Sequence, residues 1–347
     1  MSSQKVLRGG VFGFGGMGQQ FTRNINIDKW YGDDFRIIGV CNRGEPHRRT
    51  AVETFGIKAV QHPADLIREG LDFGLVSSTT AAHCEHVCLL AAAGIPVFCE
   101  KPIALTPDEG RRMVEAIAKA GVPSVVNFGR RLDPCNLKIK AMIEGGEFGR
   151  LMNYSSFMAR AHGFYVEGAR HRAILDPVES GGWIVHHSCH QVDMACWLMG
   201  KVDSVSCVTR STVEGIETVP GLISEEVVQG RLFFKNGSMG TVFDCVGGVH
   251  DSHLSVIGTK CAVGIVKAEN TNVIKYKRQG DPEWDAPRVL DPRLEFPRID
   301  NLHHFLKVVR DHIPPRITLA DAFYALQVTM AMRESARAGG AVVKMKD

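Results

Sequence analysis

Gly13-Phe14-Gly15-Gly16-Met17-Gly18 follows directly on the apolar run Val6 to Phe12. A short apolar run closed by glycine reads as a buried strand, and G-x-G-x-x-G behind it reads as a strand-to-helix turn. Gly13 allows the tight turn, Gly15 lets a pyrophosphate approach the backbone, and Gly18 lets the helix pack on the strand. The phosphates would meet the helix N-terminus, where unpaired N–H groups favour an anion. A glycine-rich turn alone is a weak signal. Its place behind the first strand favours a dinucleotide site over a plain turn, and makes Gly13, Phe14, Gly15, Gly16, Met17 and Gly18 candidate cofactor-binding residues.

Strand and helix patterns alternate from there. Phe35 to Cys41 reads as a second strand and ends in Asn42-Arg43. An NAD-binding chain usually has an acidic residue there for the ribose hydroxyls, and the nearest carboxylate here is Glu45. An arginine at this point pairs with a 2′-phosphate, which favours NADP over NAD; a solvated loop arginine is the competing reading. Asp72 to Ser77 is a strand, followed by Ser78-Thr79-Thr80 and a helix from Ala82 to Ala93 that carries His83 and His86. The strand Ile95 to Cys99 closes on Glu100-Lys101-Pro102. Sites of open α/β sheets lie outside the carboxyl ends of the strands, so Lys101 is placed to reach into one, or else forms a strand-end ion pair. Thr106-Pro107-Asp108-Glu109 carries an N-cap, a first-turn proline and a capping-box glutamate, and opens a helix to Ala120. Val122 to Phe128 is one more strand. The alternation predicts an α/β fold with a doubly wound parallel sheet of the Rossmann type over residues 1–128.

The pattern changes after Arg130-Arg131. A helix is expected from Pro134 to Glu144, then consecutive strands: Leu151 to Met158, Val202 to Thr209, Glu225 to Phe234, Ser238 to Asp244 and His253 to Ile257. Asn236-Gly237 marks a hairpin. This predicts an α+β domain over residues 129–347 with a large, mainly antiparallel open sheet. Asp281 to Arg298, with four prolines, reads as a surface loop. A last helix runs from Thr318 to about Ala338 and is free to pack back on the first domain. Val227, Leu232 and Phe234 are expected to face a partner sheet, as in a homodimer or homotetramer.

The bulk numbers bound the function. The chain has 347 residues, a net charge of +3, and ordinary shares of hydrophobic (44%) and charged (23%) residues. A charge this small gives no reason to expect nucleic acid or an anionic membrane as partner. No apolar run approaches the roughly 18 residues of a membrane span, and the N-terminus does not read as a signal peptide. Ten scattered cysteines without C-x-x-C read as reduced thiols, hence a cytoplasmic location.

Gly181-Gly182 precedes a helical stretch, Trp183 to Met199. At a uniform helical period Val185, Cys189, Val192, Cys196 and Met199 form one stripe, and His186, His190, Asp193 and Trp197 a neighbouring one. Two imidazoles and a carboxylate on one face suit proton chemistry, a buried structural stripe or a metal; no metal is assigned.

In this order, the glycine turn, the histidine-bearing helix, Glu100-Lys101-Pro102 and the Gly-Gly…His-x-x-Asp segment resemble the Gfo/Idh/MocA oxidoreductases, which include glucose–fructose oxidoreductase and inositol dehydrogenase. The resemblance covers nearly the whole chain. It implies hydride transfer between a nicotinamide cofactor, NAD(P), and a secondary hydroxyl or ketone of a sugar or cyclitol. It implies Lys101 and His190 as the catalytic pair, with Glu100 and Pro102 setting the loop beside the nicotinamide. Ser78, Thr79, Thr80 and His83 resemble the family's cofactor-lining segment. The substrate set it suggests is Lys101, Arg131, Tyr165, Trp183, His186 and His190. The family commonly has an aspartate four residues before the catalytic histidine; His186 stands there and joins the catalytic candidates. An imidazole cannot stabilise an imidazolium as a carboxylate does, so another acid, with Asp176 and Glu179 as candidates, or a different substrate is implied. A cofactor-binding sensor without turnover and an NAD-dependent glycosidase are the alternatives.

Overall fold

The structure, a computed structural model, describes residues 5–161, 180–210, 225–268, 271–281 and 288–346. The chain divides into two units, Met1–Asn127 with Asp300–Tyr324, and Phe128–Ile299 with Ala325–Asp347.

The first unit is built on six strands: β1 (Leu7–Phe12), β2 (Phe35–Cys41), β3 (Lys58–Val60), β4 (Phe73–Val76), β5 (Val97–Cys99) and β6 (Ser124–Val126). Every pairing is parallel and the order is β3-β2-β1-β4-β5-β6. This is the doubly wound order, with its reversal between β1 and β4. Its helices are α1 (Gly16–Thr22), α2 (Glu45–Phe55), α3 (Pro63–Ile67), α4 (Thr80–Ala92) and α5 (Pro107–Ala120). Sheets of this kind are covered on both faces, which is why all four residues of β4 are buried. The capping box at α5 is complete: Thr106 Oγ1 accepts from the Glu109 amide, and Glu109 Oε2 from the Thr106 amide.

The second unit opens with a 3-10 turn, Gly129–Leu132, and then α6 (Pro134–Glu144), whose first turn is capped by the Asp133 side chain accepting from Cys135 N. Its strands are β7 (Leu151–Ala161), β8 (Val202–Arg210), β9 (Val227–Phe234), β10 (Met239–Gly248), β11 (Asp251–Gly258), β12 (Cys261–Ala268), β13 (Thr271–Arg278), β14 (Arg288–Leu290) and β15 (Val343–Lys344). They form one sheet in the order β14-β13-β12-β11-β7-β10-β9-β8-β15, antiparallel except for β7 with β10. Two expectations change. The loop expected over Asp281 to Arg298 holds β14 and a short 3-10 turn, Pro292–Leu294, because Leu290 pairs with Ile274 of β13 and Arg288 reaches Asp281 at 3.0 Å. Val227, Leu232 and Phe234 do not share a face. Leu232 and Phe234 are buried, whereas Gln229 and Arg231 point outward with half-buried Val227. The inward side of β9 packs so closely on the last helix that a Cβ at Gly230 would lie 2.4 Å from Met332 Cε.

The stretch Trp183 to Met199 is not one uniform helix. Ile184–Ser188 forms a π turn, and α7 (Cys189–Met199) follows. The wider turn breaks the 3.6-residue period on which the two stripes were drawn.

The stretch Asp300–Tyr324, expected in the second domain, belongs to the first unit. Its helix α8 (Asn301–Asp311) buries Leu302, Phe305, Leu306 and Val308 in the cluster that holds Val11, Phe73 and Phe98. The Phe305 ring lies 6.1 Å from Phe73 and 5.5 Å from Phe98. The Tyr31 hydroxyl donates to Asp300, and Arg310 pairs with Asp34 at 2.9 Å. The last helix, α9 (Leu319–Arg337), follows. No described helix is long and apolar enough to cross a membrane.

Candidate active site

The glycine turn is built as close packing requires. Gly13 has φ +94°, and a Cβ there would lie 2.3 Å from the Ser78 backbone. A Cβ at Gly18 would lie 2.2 Å from the Gly13 carbonyl oxygen, whereas nothing stands within 4 Å of one at Gly15. The turn is locked on its inner side and open over Gly15, which fits an approaching pyrophosphate. Gly16 and Met17 are exposed. Phe14 differs from its expected role: its side chain is fully buried, edge-on to Phe55, and its N–H donates to Asn42 Oδ1 at 3.0 Å. Asn42 Nδ2 donates to the Gly44 carbonyl. The amide at the end of β2 therefore braces the turn. Arg43 beside it is exposed, and Arg48 donates to the carbonyls of Asn42 and Arg43.

The loop after β4 borders the same turn. Ser77 Oγ donates to the Gly13 carbonyl at 2.8 Å. Ser78 Oγ bonds His86 Nδ1 at 3.0 Å, and burial with the nearby Arg43 charge lowers the His86 pKa to about 4. Thr79 is exposed at the N-cap of α4, and Thr80 is buried. His83 is 1% exposed and lies behind the rim instead of lining it. Its Nδ1 stands 3.0 Å from the Pro102 carbonyl and its Nε2 3.0 Å from that of Ser78, so the ring lies between the loop after β4 and the loop after β5 and, when neutral, donates to one of the two carbonyls. Burial lowers its pKa to about 4, against the pull of the two carbonyls.

Glu100 is buried at the end of β5. Its Oε1 accepts from Asn127 Nδ2 at 2.6 Å and its Oε2 from the Lys101 amide at 3.2 Å. Burial pushes its carboxyl pKa up, opposed by the Lys101 charge and both bonds. Asn301, the first residue of α8, donates to the Asn127 side chain at 3.2 Å and to the Val126 carbonyl at 2.8 Å. A hydrogen-bonded chain thus runs from α8 through Asn127 and Glu100 to the backbone of half-buried Lys101. The sequence reading missed Asn127 and Asn301, which carry no local motif.

In the second unit, His186 and His190 are partly exposed between buried neighbours. Arg131 and Asp193, 5% and 1% exposed, form a two-pronged pair, with Nε to Oδ2 at 2.9 Å. The guanidinium fork expected to meet substrate is committed to this pair, and the carboxylate of the expected histidine stripe with it. Trp183 is fully buried and stacks on His187, so it does not line a substrate surface. Tyr165, Asp176 and Glu179 lie outside the described residues. The reading passed over His187 and Asp244, which are joined at 2.8 Å. The available signal was an acid between Val242 and Val246 on an otherwise apolar strand face. Among the described residues no cluster of three or more His, Cys, Asp or Glu side chains could hold a metal ion.

Two family models match. One describes an oxidoreductase family with an NAD-binding Rossmann fold, over residues 7–128, and the other that family's C-terminal alpha/beta domain, over residues 140–345. The chain belongs to the Gfo/Idh/MocA oxidoreductases. It is 29% identical to myo-inositol 2-dehydrogenase of Thermotoga maritima over 95% of this chain and 96% of that one. It is 26% identical to scyllo-inositol 2-dehydrogenase (NAD(+)) of Bacillus subtilis over 93% of this chain and 84% of that one. Of solved structures, a probable dehydrogenase from Thermotoga maritima matches with TM-score 0.76 and 26% identity, covering 98% of this chain and 99% of that one. A levoglucosan dehydrogenase, solved with NADH and levoglucosan, shares the fold with TM-score 0.83 at 18% identity, over 98% of this chain and 100% of that one. The protein is an NAD(P)-dependent oxidoreductase, and the expected α/β sheet followed by a mainly antiparallel sheet is the fold observed.

The histidine latch carries a pH signature. His83 has a depressed pKa when folded, so the unfolded chain binds its proton first as pH falls below the usual value of 6.5. Stability is therefore lost as pH drops from 6.5 towards 4, by on the order of 3 kcal/mol from this residue. Urea unfolding at stepped pH is expected to show a shallower decline in His83→Gln than in the parent. Parallel curves would show that His83 does not titrate this way.

Proposed function

We propose that this oxidoreductase transfers a hydride between NAD(P) and a secondary hydroxyl or ketone of a cyclitol or sugar, in the cytoplasm. The observation that carries the reading is the match of both family halves to a chain whose first sheet ends in an intact glycine turn and in Glu100-Lys101. Two relatives named as inositol dehydrogenases, each matching over more than nine-tenths of the chain, favour a cyclitol.

The nicotinamide, when bound, accepts or gives the hydride. His190 takes the hydroxyl proton in oxidation and returns it in reduction, since imidazole titrates near neutral pH. The Lys101 ammonium holds the same oxygen and stabilises the negative charge that grows on it as the proton leaves. Glu100, anchored by Asn127, fixes the backbone from which Lys101 projects. His186 meets a substrate hydroxyl or passes the proton onward. Gly13, Gly15 and Gly18 shape the bed for the pyrophosphate. A homodimer or homotetramer completes this reading, because the outward face of the second sheet carries the stacked Phe157 and Phe243 with exposed Met239 and Ile257.

NADP serves beside NAD in this proposal. Asn42 is occupied with the turn, no carboxylate stands at the end of β2 to repel a 2′-phosphate, and Arg43 is exposed, with its charge felt by His86. A charge-assisted bond of about 1.5–3 kcal/mol corresponds to roughly tens-fold discrimination. Arg43→Ala is expected to weaken NADPH binding by that factor and NADH binding far less, as read by fluorescence titration. Equal losses for both cofactors would remove NADP from the reading.

The chemical assignment is checked by steady-state kinetics with inositol isomers and aldoses. His190→Ala and Lys101→Ala are each expected to lower turnover by about 10²–10⁴-fold while NADH still binds. Near-parent turnover in both would place the chemistry on other residues.

A further inference from the structure

His187 and Asp244 have no part in the chemistry above, yet both are buried, at 4% and 0% exposure. Asp244 lies on the inward face of β10. Its Oδ2 accepts from Ser188 Oγ at 2.8 Å and stands 2.8 Å from His187 Nδ1, with Oδ1 at 3.1 Å. A buried carboxylate is costly unless its oxygens are bonded, so the Nδ1 that faces it carries a proton and the ring plane is held. The same ring lies nearly flat on Trp183, with centroids 4.4 Å apart and planes 14° apart. His187 is thus fixed through both its edge and its face.

This fixed ring meets His190. The two imidazoles are edge-to-face, at 6.0 Å and 78°. Phe128 meets His190 in the same manner, at 5.7 Å and 79°. Edge-to-face contacts are the preferred geometry of ring pairs, and two of them leave an imidazole little freedom to turn. His190 is itself partly exposed, and these two rings flank its imidazole.

We propose that His187 is a positioning residue for His190: pinned by Asp244 and Trp183, it forms with Phe128 a clamp of rings that sets the angle of the His190 imidazole. The proposal rests on His190 as the group that moves the substrate proton. Its consequence falls on turnover and not on cofactor binding, since misplacing a catalytic group by about 1 Å can cost roughly a hundredfold in rate.

The test uses the full chain with NAD⁺ and myo-inositol as the probe substrate, beside crystal structures of the same variants. His187→Ala is expected to lower kcat about tenfold or more, leave the NADH Kd and the substrate KM within about twofold, and let the His190 ring take a new angle. His187→Phe with Asp244→Val keeps a ring against Trp183 and removes the buried charge, an exchange that is often neutral for stability. It is expected to restore kcat to within about threefold of the parent. Parent kcat in His187→Ala beside an inactive His190→Ala overturns the clamp alone, as does a double variant that folds and keeps the ring but stays slow. Retained turnover in His190→Ala overturns the assignment of His190 and the clamp with it. If myo-inositol is not turned over, the crystal structures decide: a His190 ring unmoved in His187→Ala overturns the proposal, and a displaced one supports it.

Discussion

All six strands of the first sheet run the same way, so their carboxyl ends share one edge. Everything assigned to the cofactor side of the chemistry depends on that constraint. Gly13, Ser78, Glu100 and Asn127 are far apart in the chain and close at this edge. The parallel ladder sets their spacing, and side chains then lock it. The Gly13 turn leaves no room for a Cβ against Ser78, Ser77 bonds the Gly13 carbonyl, and Asn127 bonds Glu100. His83 lies between the two loops that flank the edge, with a ring nitrogen 3.0 Å from a carbonyl of each. Helix α8 contributes twice, through Phe305 in the core and through Asn301 on Asn127. The loop that carries Lys101 is therefore supported by residues that sequence position alone would assign elsewhere.

The second unit solves a different problem. Its sheet leaves one face for a helix, and the helical stretch that covers it carries several polar groups. Several have specific partners: Asp193 with Arg131, His187 and Ser188 with Asp244, and Gln191 Oε1 with Ser156 Oγ. His186 and His190 are the partly exposed imidazoles of the π turn and α7. The buried acid Asp244 of the sheet meets His187, the neighbour of His186.

Local signals in the sequence were sound where the physics is local. The Thr106 capping box, the helix Pro134–Glu144 and the glycine turn each follow from residues within a few positions of one another, and each stands as read. Phe14 and Arg131 show where that reading stops. Nothing adjacent to Phe14 says that its ring turns into the core, and nothing adjacent to Arg131 says that its partner is 62 residues away. The π turn is similarly hidden, because a stripe drawn at 3.6 residues per turn presumes the ladder it is meant to detect. Helix α8 needed the first unit's aromatic core before its apolar face had a destination. The resemblance to a family supplied what periodicity could not, namely the expectation that Lys101 and His190 act together.

The central claim is that a hydride passes directly between a substrate carbon and the nicotinamide. Incubation of the protein with NAD⁺ and myo-inositol deuterated at its ring carbons, followed by mass analysis of the recovered cofactor, tests it most directly. The account predicts reduced nicotinamide carrying one deuterium per turnover, with none acquired from solvent when the reaction is run in deuterium oxide with unlabelled inositol. Reduced cofactor without substrate deuterium, or substrate consumed with no reduced cofactor formed at any time, would contradict it.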